Sequence, residues 1–86
     1  MSVHTVLEER YHDLENYLRH TFKLERQEVL DDVFVKTVGK VIRLAHTYDA
    51  SKGLSEFNWM VMIGRGVAYQ VLERLDKRTG DNPRAP

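Results

Sequence analysis

The sequence predicts an all-α fold, a three-helix bundle, and three observations carry that expectation. Apolar residues recur at steps of three and four along three long stretches, as one face of a 3.6-residue helix requires. Turn-forming Asp, Ser and Gly gather in one place, between the second and third stretches. At 86 residues, with 42% hydrophobic and 30% charged side chains, the chain has room for one core and enough apolar surface to fill it.

The first helix is expected over 5–22, where Leu7, Tyr11, Leu14 and Leu18 are spaced four, three and four apart. The second is expected over 25–46, with Leu30, Phe34, Val38, Val41 and Ala45 on one stripe and Val29, Val33 and Ile42 widening it. Its run VFVKTVGKV is rich in β-branched residues, but a strand would send that stripe to two faces, so the helical period outweighs local propensity. Gly39 costs about 1 kcal/mol relative to Ala in a helix interior, and is either tolerated or lets a neighbour come close. The segment 47–55, TYDASKGLS, is the main loop, with no helix over 47–53. Ser55 then suits an N-cap and Glu56 a first turn. Met60, Ile63, Val67, Val71 and Leu75 keep helical spacing towards Lys77 and Arg78, whose charges suit a helix C-terminus. Gly80 stops this third helix and Pro83 prevents its resumption, so 1–80 is one domain and 81–86 a tail or the start of a linker. Gly64 and Gly66 are expected to thin the third helix where another backbone packs.

The absence of Cys excludes a disulfide scaffold, a thiolate metal site and a Cys nucleophile, and points to a reducing, cytoplasmic setting. No apolar run approaches the ~18 residues of a membrane span, and the charged N-terminus lacks the apolar stretch of a secretion signal. Lys plus Arg and Asp plus Glu balance at 13 each. That balance hides a polarity. Residues 1–34 hold eight acids against four bases, a net of −4, and residues 35–86 hold nine bases against five acids, a net of +4. Either the two halves meet different partners, or opposite charges solvate one bundle.

The common catalytic and metal patterns are incomplete. Glu9 and His12 have the Glu-x-x-His spacing of a carboxylate-bridged metal bundle, but no second copy exists. Gly39-Lys40 lacks the upstream glycine and following hydroxyl of a phosphate-binding loop, and Gly64-Arg65-Gly66 follows no strand. In Asp49-Ala50-Ser51-Lys52-Gly53 only Asp49 is an anionic ligand, and Lys52 would repel calcium. The expectation is a protein that is not an enzyme and holds no cofactor or metal.

From the second helix onwards the chain carries, in order, E-V-L-D-D-V-F (28–34), Y-D-A-S-K-G (48–53), W-M-V-M-I-G-R-G-V-A (59–68) and Glu73-Arg74. This set resembles region two of bacterial sigma factors, especially the extracytoplasmic-function group, with its D-L-V-Q-E-x-F, F-D-x-x-x-G, W-L-x-x-I-A-R-N-x-A and terminal R-R. The resemblance spans about residues 8–78 and rests on the ordered set, since each motif alone is unspecific. Departures include about four extra residues between Phe34 and Tyr48, about one between Gly53 and Trp59, Asp31 for the family's Gln and Gly66 for its Asn. Nothing after Arg74 corresponds to the family's second, promoter-reading domain, so the chain is expected to be at most half of a sigma factor: an excised domain, a split subunit, or a sigma-like regulator from a phage or mobile element.

The resemblance implies a transcription-initiation module that binds the β′ clamp of RNA polymerase and the nontemplate strand of the −10 element. It assigns polymerase binding to Glu28, Asp31 and Asp32. It assigns single-stranded promoter DNA to Tyr48, Lys52, Asn58, Arg65, Arg74, Lys77 and Arg78, which offer an aromatic surface, cations and polar groups for a strand whose bases leave the stack. Trp59, at the family's W-L position, is expected to anchor the third helix in the core. A separate sigma-region-four protein or an anti-sigma factor would be further partners, and no membrane is involved. Two other readings compete. A sigma mimic would occupy the clamp without touching DNA, as the neutral charge and Gly66 favour. A plain scaffold or homodimer would use an exposed seam around Met60 and Met62.

Overall fold

The computed structural model describes residues 2–80, with side chains through 76. Among the described residues the structure is 84% helical, with four α-helices and no strand. In order these are α1 (Val3–Glu9), α2 (Tyr11–Thr21), α3 (Gln27–Leu44), short 3-10 turns at Ala45–Thr47 and Ala50–Lys52, and α4 (Glu56–Gly80). The tail expected over 81–86 lies outside the described residues.

The expected first helix is two. Ser2 caps α1, its Oγ accepting from the Thr5 amide at 3.1 Å. The chain leaves the helix at Arg10, with φ −116° and ψ 27°. There the guanidinium lies 3.7 Å over the Phe57 ring and its Nε donates to Asp13 Oδ2 at 3.1 Å. The break re-aims α1, so Val3, Val6 and Leu7 bury against α4 while α2 lays Leu14 and Leu18 against both α3 and α4. Tyr11, expected in the stripe, is 43% exposed and meets Phe34 edge-on, with ring centroids 4.7 Å apart.

Helix α2 ends in a Schellman turn built on lysine. Lys23 takes φ 52°, and the Leu24 amide donates back to the Arg19 carbonyl at 2.9 Å, which buries Leu24.

In α3 the buried stripe is Leu30, Val33, Phe34, Thr37 and Val41, rotated from the expected one. Val38 and Ala45 are only half-buried and Ile42 is 50% exposed, while Thr37 lies against α4, its Cγ2 3.3 Å from where a Cβ on Gly64 would sit. The reason Thr37 can occupy the core is that its Oγ1 donates to the Val33 carbonyl at 2.7 Å, leaving no polar atom unsatisfied. The helix stops at Leu44 and tightens into the first 3-10 turn, and a second one occupies part of the segment expected to be free of helix.

The capping expected of Ser55 is present: its Oγ accepts from the Asn58 amide at 3.2 Å. Helix α4 buries Trp59, Met60, Ile63, Val67, Ala68 and Val71. Gly64 is the close approach, since a Cβ there would lie 3.0 Å from Leu18 Cδ2 and 3.3 Å from Thr37 Cγ2. Gly66 has nothing within 4 Å, and neither does Gly39, so neither glycine admits a neighbour. Met60 is 1% exposed and therefore core, leaving Met62 alone of the expected dimer seam.

Candidate functional site

Helix α3 presents Glu28, Asp31 and Asp32 on its exposed first two turns, each carboxylate already held by a local donor. Arg26 Nε donates to Glu28 Oε1 at 2.9 Å, Gln27 Nε2 to Asp31 Oδ1 at 2.7 Å, and Lys36 Nζ to Asp32 Oδ2 at 3.1 Å. The Arg26 hydrogen bond, then the backbone amide at 28 and the Arg26 charge, holds the Glu28 carboxyl below its usual range. Exposed pairs of this kind contribute roughly 0–1 kcal/mol, so an incoming cation displaces them at little cost. Asp31 is bonded to a neutral amide, where Glu28 and Asp32 each meet a cation.

The loop before α4 is folded onto the core. Tyr48 donates its phenol proton to the Leu54 carbonyl at 2.6 Å, and its ring meets Trp59 with centroids 5.5 Å apart. Burial, then the charges of Glu56 and Asp49, raises the Tyr48 pKa. Asp49 Oδ1 accepts from both the amide and hydroxyl of Ser51, at 2.9 and 2.7 Å, which holds its own pKa down. Gly53 closes the second 3-10 turn at φ 92°, and Lys52 beside it is exposed. Trp59 is buried, in the core role expected for it.

The remaining nucleic-acid candidates fall on two sides of α4. Asn58 and Arg65, two turns apart, line a shallow groove of about 320 Å³ with Leu54, Val61 and Met62. Arg74 is nine residues beyond Arg65, about 180° around the helix. It lines a different groove of about 500 Å³, between α3 and α4, with Lys36, Gly39, Lys40, Arg43, Val67, Gln70 and Val71. The side chains of Lys77 and Arg78 lie outside the described residues. The five described candidates therefore do not form one surface. The three α3 cations opposite Arg74 were missed by sequence reasoning, although their spacing of four and three was a signal for one helix face.

No family model, curated protein or solved structure matches the chain. Among the described residues no helix is long and apolar enough to cross a membrane.

Proposed function

We propose that the protein is a cytoplasmic transcription-initiation module of the sigma-region-two kind, docking on the β′ clamp of RNA polymerase through the first half of α3. The observation that carries this reading is the ordered motif set over 28–74, in which the segment aligned with the clamp-binding helix holds three exposed carboxylates while Trp59 faces the core. Acidic side chains held by weak local pairs suit a basic partner surface, where they speed encounter and fix register. In this reading the domain works as a split sigma subunit or as one domain of a larger factor, with the −10 nontemplate strand as its DNA ligand.

The test is capture of purified RNA polymerase by the wild-type protein and by the Asp31→Lys/Asp32→Lys variant. A several-fold loss of capture, with helicity unchanged by circular dichroism, is the expected result. Capture at wild-type strength sinks the assignment.

One observation favours the second reading, a mimic that occupies the clamp without engaging DNA. Tyr48, the one aromatic side chain among the DNA candidates, has its hydroxyl bonded to Leu54 and its ring against Trp59, so stacking on a base would require the loop to open. Crosslinking a −10 nontemplate oligonucleotide to the polymerase-bound domain separates the two, comparing wild type with Tyr48→Ala and with Arg74→Ala/Arg78→Ala. Crosslinks lost in both variants support the initiation module. Polymerase capture with no crosslink in any protein supports the mimic.

A further inference from the structure

Between the second half of α3 and the second half of α4 lies an open groove of about 500 Å³ whose rim carries Lys36, Lys40, Arg43 and Arg74. Successive α3 cations are four and three residues apart, so they advance about 6 and 4.5 Å along the helix and stay within a narrow arc of it. Arg74 faces them from α4. Among the described residues no acidic side chain lines the groove, its apolar lining is Val67 and Val71, and Gly39 adds no side chain to narrow it. Lys36 is partly neutralised by Asp32, at 3.1 Å. Among the described residues no ion pair engages Lys40, Arg43 or Arg74. Like charges converging on one concavity repel each other, and an anion that bridges them relieves this repulsion.

We infer that this groove binds the phosphodiester backbone of a nucleic-acid strand. The inference is independent of polymerase docking and deepens the DNA-binding part of the proposed function, with which it shares Arg74. A strand supplies a full negative charge at every nucleotide whatever its sequence, matching a row of cations along a helix. Gln70 adds a neutral donor and acceptor of the sort that completes phosphate and sugar contacts. With no aromatic side chain in the lining, the groove holds a strand in register without reading its bases. An acidic peptide would need its carboxylates clustered to match the same row. That alternative is an outcome of the test.

The experiment is fluorescence anisotropy of a labelled oligothymidine and of a labelled duplex against the whole chain, at several salt concentrations, with polyglutamate as competitor. Three uncompensated cations give an expected log–log salt slope of about −2 for the single strand and about −3 for the duplex, and the two arms identify which form the groove prefers. Lys40→Ala/Arg43→Ala should reduce the single-strand slope to about −0.7 and weaken binding roughly tenfold at low salt. Lys40→Glu/Arg43→Glu should abolish it. Lys23→Glu/Arg19→Glu, the same change in net charge outside the groove, should leave slope and affinity close to wild type. Absence of binding to both oligonucleotides at low salt overturns the proposal, as does equal loss in the control variant. Displacement of the oligonucleotide by polyglutamate at equal charge concentration also overturns it and reassigns the groove to an acidic protein partner.

Discussion

A methyl group added at Gly64 would sit 3.0 Å from Leu18 Cδ2 and 3.3 Å from Thr37 Cγ2, and both neighbours are fully buried. Leu18 is 0% exposed, and Thr37 is tied to the Val33 carbonyl through its hydroxyl. Ala gains roughly 1 kcal/mol of helix propensity over Gly, while overpacking a core costs about 1–3 kcal/mol, so the steric cost wins. Gly64→Ala is expected to destabilise the fold by about 1 kcal/mol. Gly66, two residues on, has nothing within 4 Å, so Gly66→Ala should stabilise by about 0.5–1 kcal/mol. Urea unfolding of the two variants beside wild type checks the pair, and a shift of the same sign in both contradicts the close approach at Gly64. The two glycines look alike in the sequence. Which of them faces α2 and α3 is a matter of phase on the helix, and that phase is set by the crossing with Leu18 and Thr37.

At the scale of the element, the connection from α3 to α4 is held by two side chains with opposite pH behaviour. The Tyr48 hydroxyl must keep its proton to donate to Leu54, and its pKa is raised. The folded state therefore retains that proton longer than the unfolded chain, and the contribution is present below the ordinary tyrosine value of ~10 and lost as pH rises through the raised one. Asp49, with Glu28 on α3, behaves conversely: their lowered values give a contribution present above pH ~4 and lost as pH falls through the folded values. Thermal melts across pH should be flat near neutrality and fall at both extremes. Tyr48→Phe should melt a few degrees lower at pH 7 and decline less above pH ~10, whereas Asp49→Asn should melt lower at pH 7 and converge with wild type as pH falls below ~4. Identical melting of Tyr48→Phe and wild type at both pH values refutes the clamp. The same hydrogen bond explains why the loop does not offer Tyr48 as a stacking surface in the structure described.

Over the whole molecule, the −4 and +4 halves of the chain meet on one helix. The exposed side of α3 is acidic through Asp32 and basic from Lys36, and the Asp32–Lys36 pair at 3.1 Å marks the boundary. This arrangement also suits the helix dipole, which favours acids near the first turn and bases near the last by about 0.3–1 kcal/mol each at exposed positions. Part of the polarity is therefore explained by α3 itself. Helix α4 adds the element that a dipole does not require, Arg74 across the groove. If the two halves of α3 serve two ligands, their variants should separate. Asp31→Lys/Asp32→Lys should lose polymerase capture and keep oligonucleotide binding, and Lys40→Ala/Arg43→Ala should do the reverse. Loss of both activities in both variants would mean a single surface serving one partner.

The all-α class, the long final helix with its Ser55 cap, and the core role of Ile63, Val67 and Val71 were determined by the sequence alone, because the 3.6-residue period and local capping act within one segment. The break at Arg10, where the guanidinium lies over Phe57, and the burial of Thr37 against Gly64 of α4 belong to the tertiary structure. The lysine in the left-handed turn at 23 carries no residue-type signal, since that conformation normally selects Gly or Asn. The acidic candidates were legible as a cluster within two turns of one helix. The division of Asn58 and Arg65 from Arg74 follows from helical phase, but the pairing of Arg74 with Lys36, Lys40 and Arg43 joins residues more than thirty positions apart. Only the packing of α4 against α3 brings their charges to one groove, because the distances that govern electrostatics are set by tertiary structure and not by position along the chain.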